Sequence, residues 1–237
     1  MGKFLRQITK SYQNDFYTSR HAHSEGQIVY IHNGCCIISI ENYSFTVVSG
    51  QMFWIPPNLV HEAYFLQKSH LSIIYLDELK SNLFGSEPEQ IRVTHLWALL
   101  INDFISRQSG MSTAELDAYN TVLLEQLSQQ MPVKSNYRLD GKIDKRLLPI
   151  INHLCLQPNI KTNLDQFTYL CGASQRTLNR LFLSTFGMSF RDWRKAIVME
   201  KAQQLSNQGH KMTDIAYELG YSSISAFSTA LNKFSSD

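Results

Sequence analysis

The chain has 237 residues, 43% of them hydrophobic, with 13 Phe and 11 Tyr, enough apolar material for packed cores and too much for wholesale disorder. No run of about 18 or more apolar residues is present to cross a membrane, and "MGKFLRQITKSYQNDF" at the start lacks the apolar region of a secretory signal. The net charge of +2 conceals an asymmetry: residues 1–140 hold 10 Lys+Arg against 13 Asp+Glu, and residues 141–237 hold 12 against 7. A basic C-terminal part suits an anionic partner such as nucleic acid, or is simply a solvated surface.

Residues 27–76 read as β structure. "QIVYIHNG" and "CCIISIENYSFTVVSGQMFWIPPN" are rich in Ile, Val, Tyr and Phe, and turn signals interrupt them at Asn33-Gly34, Glu41-Asn42, Ser49-Gly50 and Pro56-Pro57. "HLSIIYLD" at 70–77 is a further strand. Many short strands at this spacing predict a small barrel or jelly roll. Cys35 and Cys36 are adjacent, pointing to opposite faces of a strand, and with Cys155 and Cys171 they form no metal-type or disulfide spacing. A reduced, cytoplasmic setting is expected.

The apolar period then becomes helical over 92–108 and 113–131, through Leu96, Leu99, Leu100 and Phe104, then Leu116, Tyr119, Leu123 and Leu127. "STAE" at 112–115 is a capping box, and Gly110 separates the two runs, so an antiparallel helical hairpin is expected. "MPVKSNYRLDGK" at 131–142 reads as a linker, broken by Pro132 and Gly141.

From 143 onward every element is helical and short. "DKRLLPIINHLCL" predicts one helix ending before Pro158, "LDQFTYLCG" and "SQRTLNRLFLSTFG" a helix–turn–helix, and "FRDWRKAIVMEKAQQLSNQG" a longer helix with a buried stripe of Trp193, Ile197 and Leu205. "MTDIAYELGYSSISAFSTALNKF" repeats the two-helix pattern. Phe167, Thr168, Cys171 and Gly172 correspond to Ile215, Ala216, Leu219 and Gly220, each 48 residues on. Past the turn the offset is 49: Leu178 matches Phe227, Leu181 matches Ala230 and Phe182 matches Leu231. One helix–turn–helix therefore occurs twice, with a residue inserted in the second turn.

These C-terminal phrases, above all "GMSFRDWR" and "DIAYELGYSS", resemble the DNA-binding domain of the AraC/XylS family of transcription regulators. "HAHSEGQIVYIHNG" followed by "VSGQMFWIPPNLVHEAYF" resembles the cupin-type sensor of many members. The resemblance implies a multi-domain chain: an N-terminal all-β cupin-like barrel with a helical hairpin over 1–131, a linker over 132–142, and an all-α double helix–turn–helix domain over 143–237. It places Gln175, Arg176, Asn179 and Arg180 on the exposed face of the first recognition helix. Arg offers a rigid fork to guanine, and Asn and Gln can pair with adenine. Their counterparts are Ile224, Ser225, Ser228 and Thr229, which offer thymine contacts and single hydrogen bonds. Family members commonly carry Arg where Thr229 stands, and continue beyond the last helix where this sequence reads "NKFSSD"; both departures imply a weaker second reading head.

The front half has its own candidate site. His21, His23 and Gln27 have the His-x-His-x-x-x-Gln spacing of the cupin metal motif, with Gln in place of the usual Glu, and His61 stands where the last cupin ligand belongs. Strand alternation puts His21 and His23 on one face. The four residues either hold a divalent transition metal, for which neutral imidazoles suit Zn, Ni, Cu or Fe, or line a polar effector pocket without one. The expected function is an effector-responsive, sequence-specific, non-catalytic regulator of transcription. Its expected partners are double-stranded DNA, a small-molecule or metal effector, a second copy of the chain through the sensor or its helices, and RNA polymerase if it activates. A cupin metalloenzyme with a helical appendage is the alternative.

Overall fold

The computed structural model describes residues 6–41, 43–76, 84–127, 131–132, 138–140 and 143–236. Most of the expected linker and the end of the second helix therefore lie outside the described residues. The chain divides into two compact units, one carried chiefly by residues up to 136 and one by residues from 137 on.

The first unit is a pair of antiparallel sheets. Its strands are β1 (Arg6–Tyr12), β2 (Phe16–His21), β3 (Gly26–Asn33), β4 (Cys35–Ile40), β5 (Tyr43–Val48), β6 (Gln51–Ile55), β7 (His61–Phe65), β8 (Ser69–Leu76), β9 (Glu89–Arg92) and β10 (Met131–Pro132). One sheet runs β1-β8-β3-β6-β9-β10, and the other orders β5-β4-β7-β2. The strands β1, β2 and β9 lie outside the span 27–76 that composition marks as β. Their sequences "RQITKSY", "FYTSRH" and "EQIR" are polar, and they become strands through pairing: β1 bonds along the whole of β8, and β2 along β7.

Burial on both faces explains why the central strands read as unbroken apolar runs. On β3 the residues Ile28 and Tyr30 join Met52, Trp54, Ile74, Leu76, Ile91 and Val93 on one face of the first sheet, where Trp97, Ile101, Phe104, Leu123 and Leu127 cover them. The alternate residues, among them Val29, Ile31, Phe53, Ile55 and Ile73, are buried as well, as are Phe65 and Ile38 of the second sheet. The covering residues come from α1 (His95–Arg107) and α2 (Thr113–Leu127), packed as the expected hairpin. Ser112 and Glu115 form the predicted capping box: the Ser112 N–H donates to the Glu115 carboxylate at 2.8 Å, and the Glu115 N–H donates to the Ser112 hydroxyl at 3.4 Å.

The second unit contains α3 (Leu148–Leu156), α4 (Gln175–Phe186), α5 (Phe190–Asn207), α6 (Met212–Glu218) and α7 (Ile224–Ser236). Two expected helices differ. "DKRLLPIINHLCL" starts as a 3-10 turn at Lys145–Leu147, with Pro149 in the first turn of α3, where its missing N–H costs nothing. "LDQFTYLCG" makes a 3-10 helix over Leu164–Phe167 followed by turns, not an α-helix. Its local bonds explain this: Asn163 caps the Asp165 N–H at 3.0 Å, and the Asp165 carbonyl accepts both the N–H and the hydroxyl of Thr168, at 3.3 and 2.9 Å. Among the described residues no helix is long and apolar enough to cross a membrane.

Candidate functional site

The four front-half candidates converge. His21 ends β2 and pairs in register with His61 at the start of β7. His23 is not on the strand, as alternation predicts, but in the connection from β2 to β3. It is turned toward the other two by a contact between its Nδ1 and the Glu25 carbonyl at 2.6 Å. Ring centroids are 4.4 Å apart for His21 and His61, 5.1 Å for His23 and His61, and 6.0 Å for His21 and His23. One nitrogen from each ring lies within 4.8 Å of the others.

Main-chain carbonyls set the tautomers. The Nδ1 of His21 faces the Ser19 carbonyl at 2.7 Å, and that of His61 faces the Leu59 carbonyl at 2.9 Å. A carbonyl only accepts, so in all three rings Nδ1 carries the proton, which leaves Nε2 as the ligand nitrogen. The Nε2 of His61 is buried and has no hydrogen-bond partner among the described residues. Burial lowers the His61 pKa to about 4, and His21 and His23 push the same way against the Leu59 carbonyl, so this ring is neutral at pH 7. The side chain of Gln27, 6% exposed on β3, reaches the His23 Nε2 at 2.6 Å. With His23 neutral, the amide turned so that its NH2 donates satisfies both groups; amide orientation is assigned from such networks.

This set fits a divalent transition metal. Neutral imidazoles suit Zn, Ni, Cu and Fe, and an Nδ1–H pinned to a carbonyl is the usual support behind an Nε2 ligand. Among the described residues, His21, His23 and His61 are the one group of three or more His, Cys, Asp or Glu close enough to share an ion.

The turn of the doubled motif in the second unit is repeated with the same hydrogen bonds. Cys171 N–H donates to Phe167 O and Leu219 N–H to Ile215 O; Gly172 donates to Tyr169 O and Gly220 to Tyr217 O; Ala173 donates to Thr168 O and Tyr221 to Ala216 O. Both glycines take left-handed backbone, φ +56° at Gly172 and +83° at Gly220. After the inserted residue, Ser174 and Ser223 each cap the following helix, accepting from Thr177 N–H and Ala226 N–H at 3.2 Å.

On α4, Leu178, Phe182 and Phe186 are buried, while Gln175, Arg176, Asn179 and Arg180 are exposed. Phe182 and Phe186 meet Trp193 of α5 at ring centroid distances of 5.4 and 5.2 Å. Asn179 has a structural task that spacing did not reveal: its Oδ1 accepts the Phe190 N–H at 3.2 Å, at the start of α5. On α7, Ile224, Ser225 and Thr229 are exposed and Ser228 is half-buried. The Thr229 hydroxyl donates back to the Ser225 carbonyl at 3.0 Å. Between the motifs, α5 has 18 residues, about 27 Å at helical rise, and buries Trp193, Ile197 and Leu205 as expected, with Val198, Met199 and Ala202 beside them.

A two-sheet β unit with an imidazole-lined site, and a helical unit with two helix–turn–helix motifs, define an effector-responsive DNA-binding regulator of transcription. The chain belongs to the AraC-like ligand binding domain family, which residues 5–131 match, and residues 170–236 match a helix-turn-helix domain family. It is 24% identical to the HTH-type transcriptional regulator NimR of Escherichia coli over 215 residues, 90% of this chain and 77% of that one. It is 21% identical to the HTH-type transcriptional regulator RipA of Corynebacterium glutamicum over 89% of this chain and 59% of RipA. Among solved structures, apo ToxT from Vibrio cholerae aligns over 96% of this chain and 92% of its own, with 11% identity and a TM-score of 0.41.

Proposed function

We propose that residues 143–237 read DNA with unequal heads and that residues 1–131 sense an effector at His21, His23, Gln27 and His61, without catalysis. The observation that carries this reading is the exposed face of Gln175, Arg176, Asn179 and Arg180 on the first of two motifs whose turns share the same hydrogen bonds. Arg176 and Arg180 supply guanidinium forks for guanine, while Gln175 and the Asn179 amide supply contacts to adenine. Ser225, Ser228 and Thr229 supply at most single hydrogen bonds. The α5 spacer of about 27 Å, with the widths of the two motifs, suits successive major-groove faces about 34 Å apart.

In the sensor, His21, His23 and His61 would hold a divalent metal, with Gln27 beside them. When bound, the ion would supply a Lewis-acidic point of attachment for the effector. The exposed Leu96 and Leu99 on α1 and Val122 on α2 support a homodimer through these helices, which would raise affinity for paired sites through effective concentration. A cytoplasmic setting and, for an activator, contact with RNA polymerase complete the reading.

The test is selection of genomic fragments by the full chain, with effector-free and metal-supplemented arms. Recovery of a sequence motif whose stronger half is lost in Arg176→Ala and Arg180→Ala supports the reading. Retention that falls with salt but selects no sequence overturns it.

A further inference from the structure

We propose that the sensor takes up a small oxyanion, of the carboxylate or phosphate class, together with its metal ion, because every donor that the described residues bring to the site is uncharged. The inference rests on the metal reading given above. The three imidazoles and the Gln27 amide are neutral donors, and no Asp or Glu among the described residues joins the cluster.

The carboxylates that adjoin the histidines in the chain, Glu25 and Glu62, are turned to other work. Glu62 follows His61 on β7, so alternation sends it to the opposite face, where it accepts the Tyr17 hydroxyl at 2.7 Å. Glu25 meets His23 through its main-chain carbonyl, and the Ser24 hydroxyl reaches its carboxylate at 3.5 Å. A dication held by His21, His23 and His61 therefore keeps its full double charge next to His61, which is 2% exposed. An uncompensated charge at a buried edge is strongly disfavoured, and a negative ligand from solution removes the penalty. His21, by contrast, is exposed, so the cluster has an open side by which such a ligand can arrive.

Residue 27 controls this balance. Its side chain sits against the His23 Nε2, so a glutamate there would bring an internal carboxylate to the same atom and do the work of the oxyanion. The protein as it stands requires the oxyanion from outside, and coupling is reciprocal: the anion tightens the metal as much as the metal tightens the anion.

The experiment titrates the full chain with cobalt(II), followed by its visible absorption, with and without acetate or inorganic phosphate. The expected result is saturable cobalt binding lost in the His21→Ala, His61→Ala double variant, a spectrum altered by one of the two oxyanions, and cobalt affinity raised about 10-fold at anion saturation. Gln27→Glu should bind cobalt about 10-fold more tightly without added anion and lose most of the anion effect, while Gln27→Met, still neutral, keeps it. The two anions separate a carboxylate effector from a phosphate one. Absence of cobalt binding overturns the metal reading and this inference together. Cobalt binding that neither anion alters, or an anion effect undiminished in a folded Gln27→Glu, overturns the inference alone.

Discussion

Gly172 and Gly220 occupy the same place in the two motifs, yet alanine should cost very different amounts at each. Both have left-handed backbone, which a Cβ makes unfavourable by about 1–2 kcal/mol. At Gly172 a Cβ meets nothing within 4 Å, so that is the whole cost. At Gly220 it would stand 2.2 Å from the Asn159 Oδ1 and 2.8 Å from its Cγ. Asn159 must move, and its Oδ1 accepts the Lys161 N–H at 2.9 Å, a bond worth about 1 kcal/mol. The neighbouring bond from Ile160 N–H to Leu219 O, 2.9 Å, is strained by the same shift. Gly220→Ala should therefore destabilise the helical unit by about 2–3 kcal/mol, and Gly172→Ala by about 1–2 kcal/mol. Native-state hydrogen exchange at the buried amides of Val198 and Met199 reads this directly. Equal protection in the two variants would refute the argument that Asn159 makes the second turn intolerant.

Three further outcomes are expected. Selection of bound sites should show Arg180→Ala relaxing one position of the stronger half-site, for a loss of about 1–3 kcal/mol, while Thr229→Ala, whose hydroxyl is spent on Ser225 O, changes preference little; equal information in both half-sites would sink the asymmetry. Asn179→Ala should reduce thermal stability as well as binding, because it strips the acceptor from the Phe190 N–H; Asn179→Asp, which keeps that acceptor, should regain stability without DNA affinity, and an Asn179→Ala protein as stable as wild type would rule the joint out. Stability should also fall as pH drops from about 6.5 to about 4, since burial, with His70 adding to it, lowers His32 to about 4, and burial chiefly lowers His61 to about 4. The unfolded chain binds those protons first, so the contribution is complete above pH 6.5 and lost through the window, on the order of 2 kcal/mol per ring after allowance for solvent screening. Asp103, Glu115 and Asp144, held below the usual carboxylate range by hydrogen bonds from Tyr119, Ser112 and Arg146, act only at lower pH. Melting temperatures unchanged between pH 7 and 5 would contradict the assignment.

What was legible in the sequence followed from whether a residue's role is set by its neighbours in the chain or by distant ones. The doubled motif was readable because a glycine turn, a capping serine and an apolar face are local devices, and they recur with the same hydrogen bonds at Gly172 and Gly220, Ser174 and Ser223. The strands β1 and β2 were not, because their polar sequences acquire a β conformation only by pairing with β8 and β7. The histidines fall between these cases. Resemblance to the cupin motif named His21, His23, Gln27 and His61, but the supposed reason, alternation of His21 and His23 along one strand, does not hold: His21 meets His61 by the pairing of β2 with β7.

His23 arrives instead by a loop whose Glu25 carbonyl takes its Nδ1. That mode of delivery matters for function. The rings of His21 and His61 are held by strand pairing and carbonyls on their own strands' approaches, so they form the fixed side of the cluster. His23 and Gln27 are bonded to each other, and a ligand that claims the His23 Nε2 must first break that bond. On the proposed reading a ligand at the His23 Nε2 competes with the Gln27 side chain, and it would shift the equilibrium by its preference for the state in which that contact is open. Gln27→Met removes the contact without adding charge. It should favour the open arrangement before any ligand is present and shorten the response to effector, whereas a variant with unchanged metal and effector affinity would show that the His23–Gln27 bond has no part in the switch.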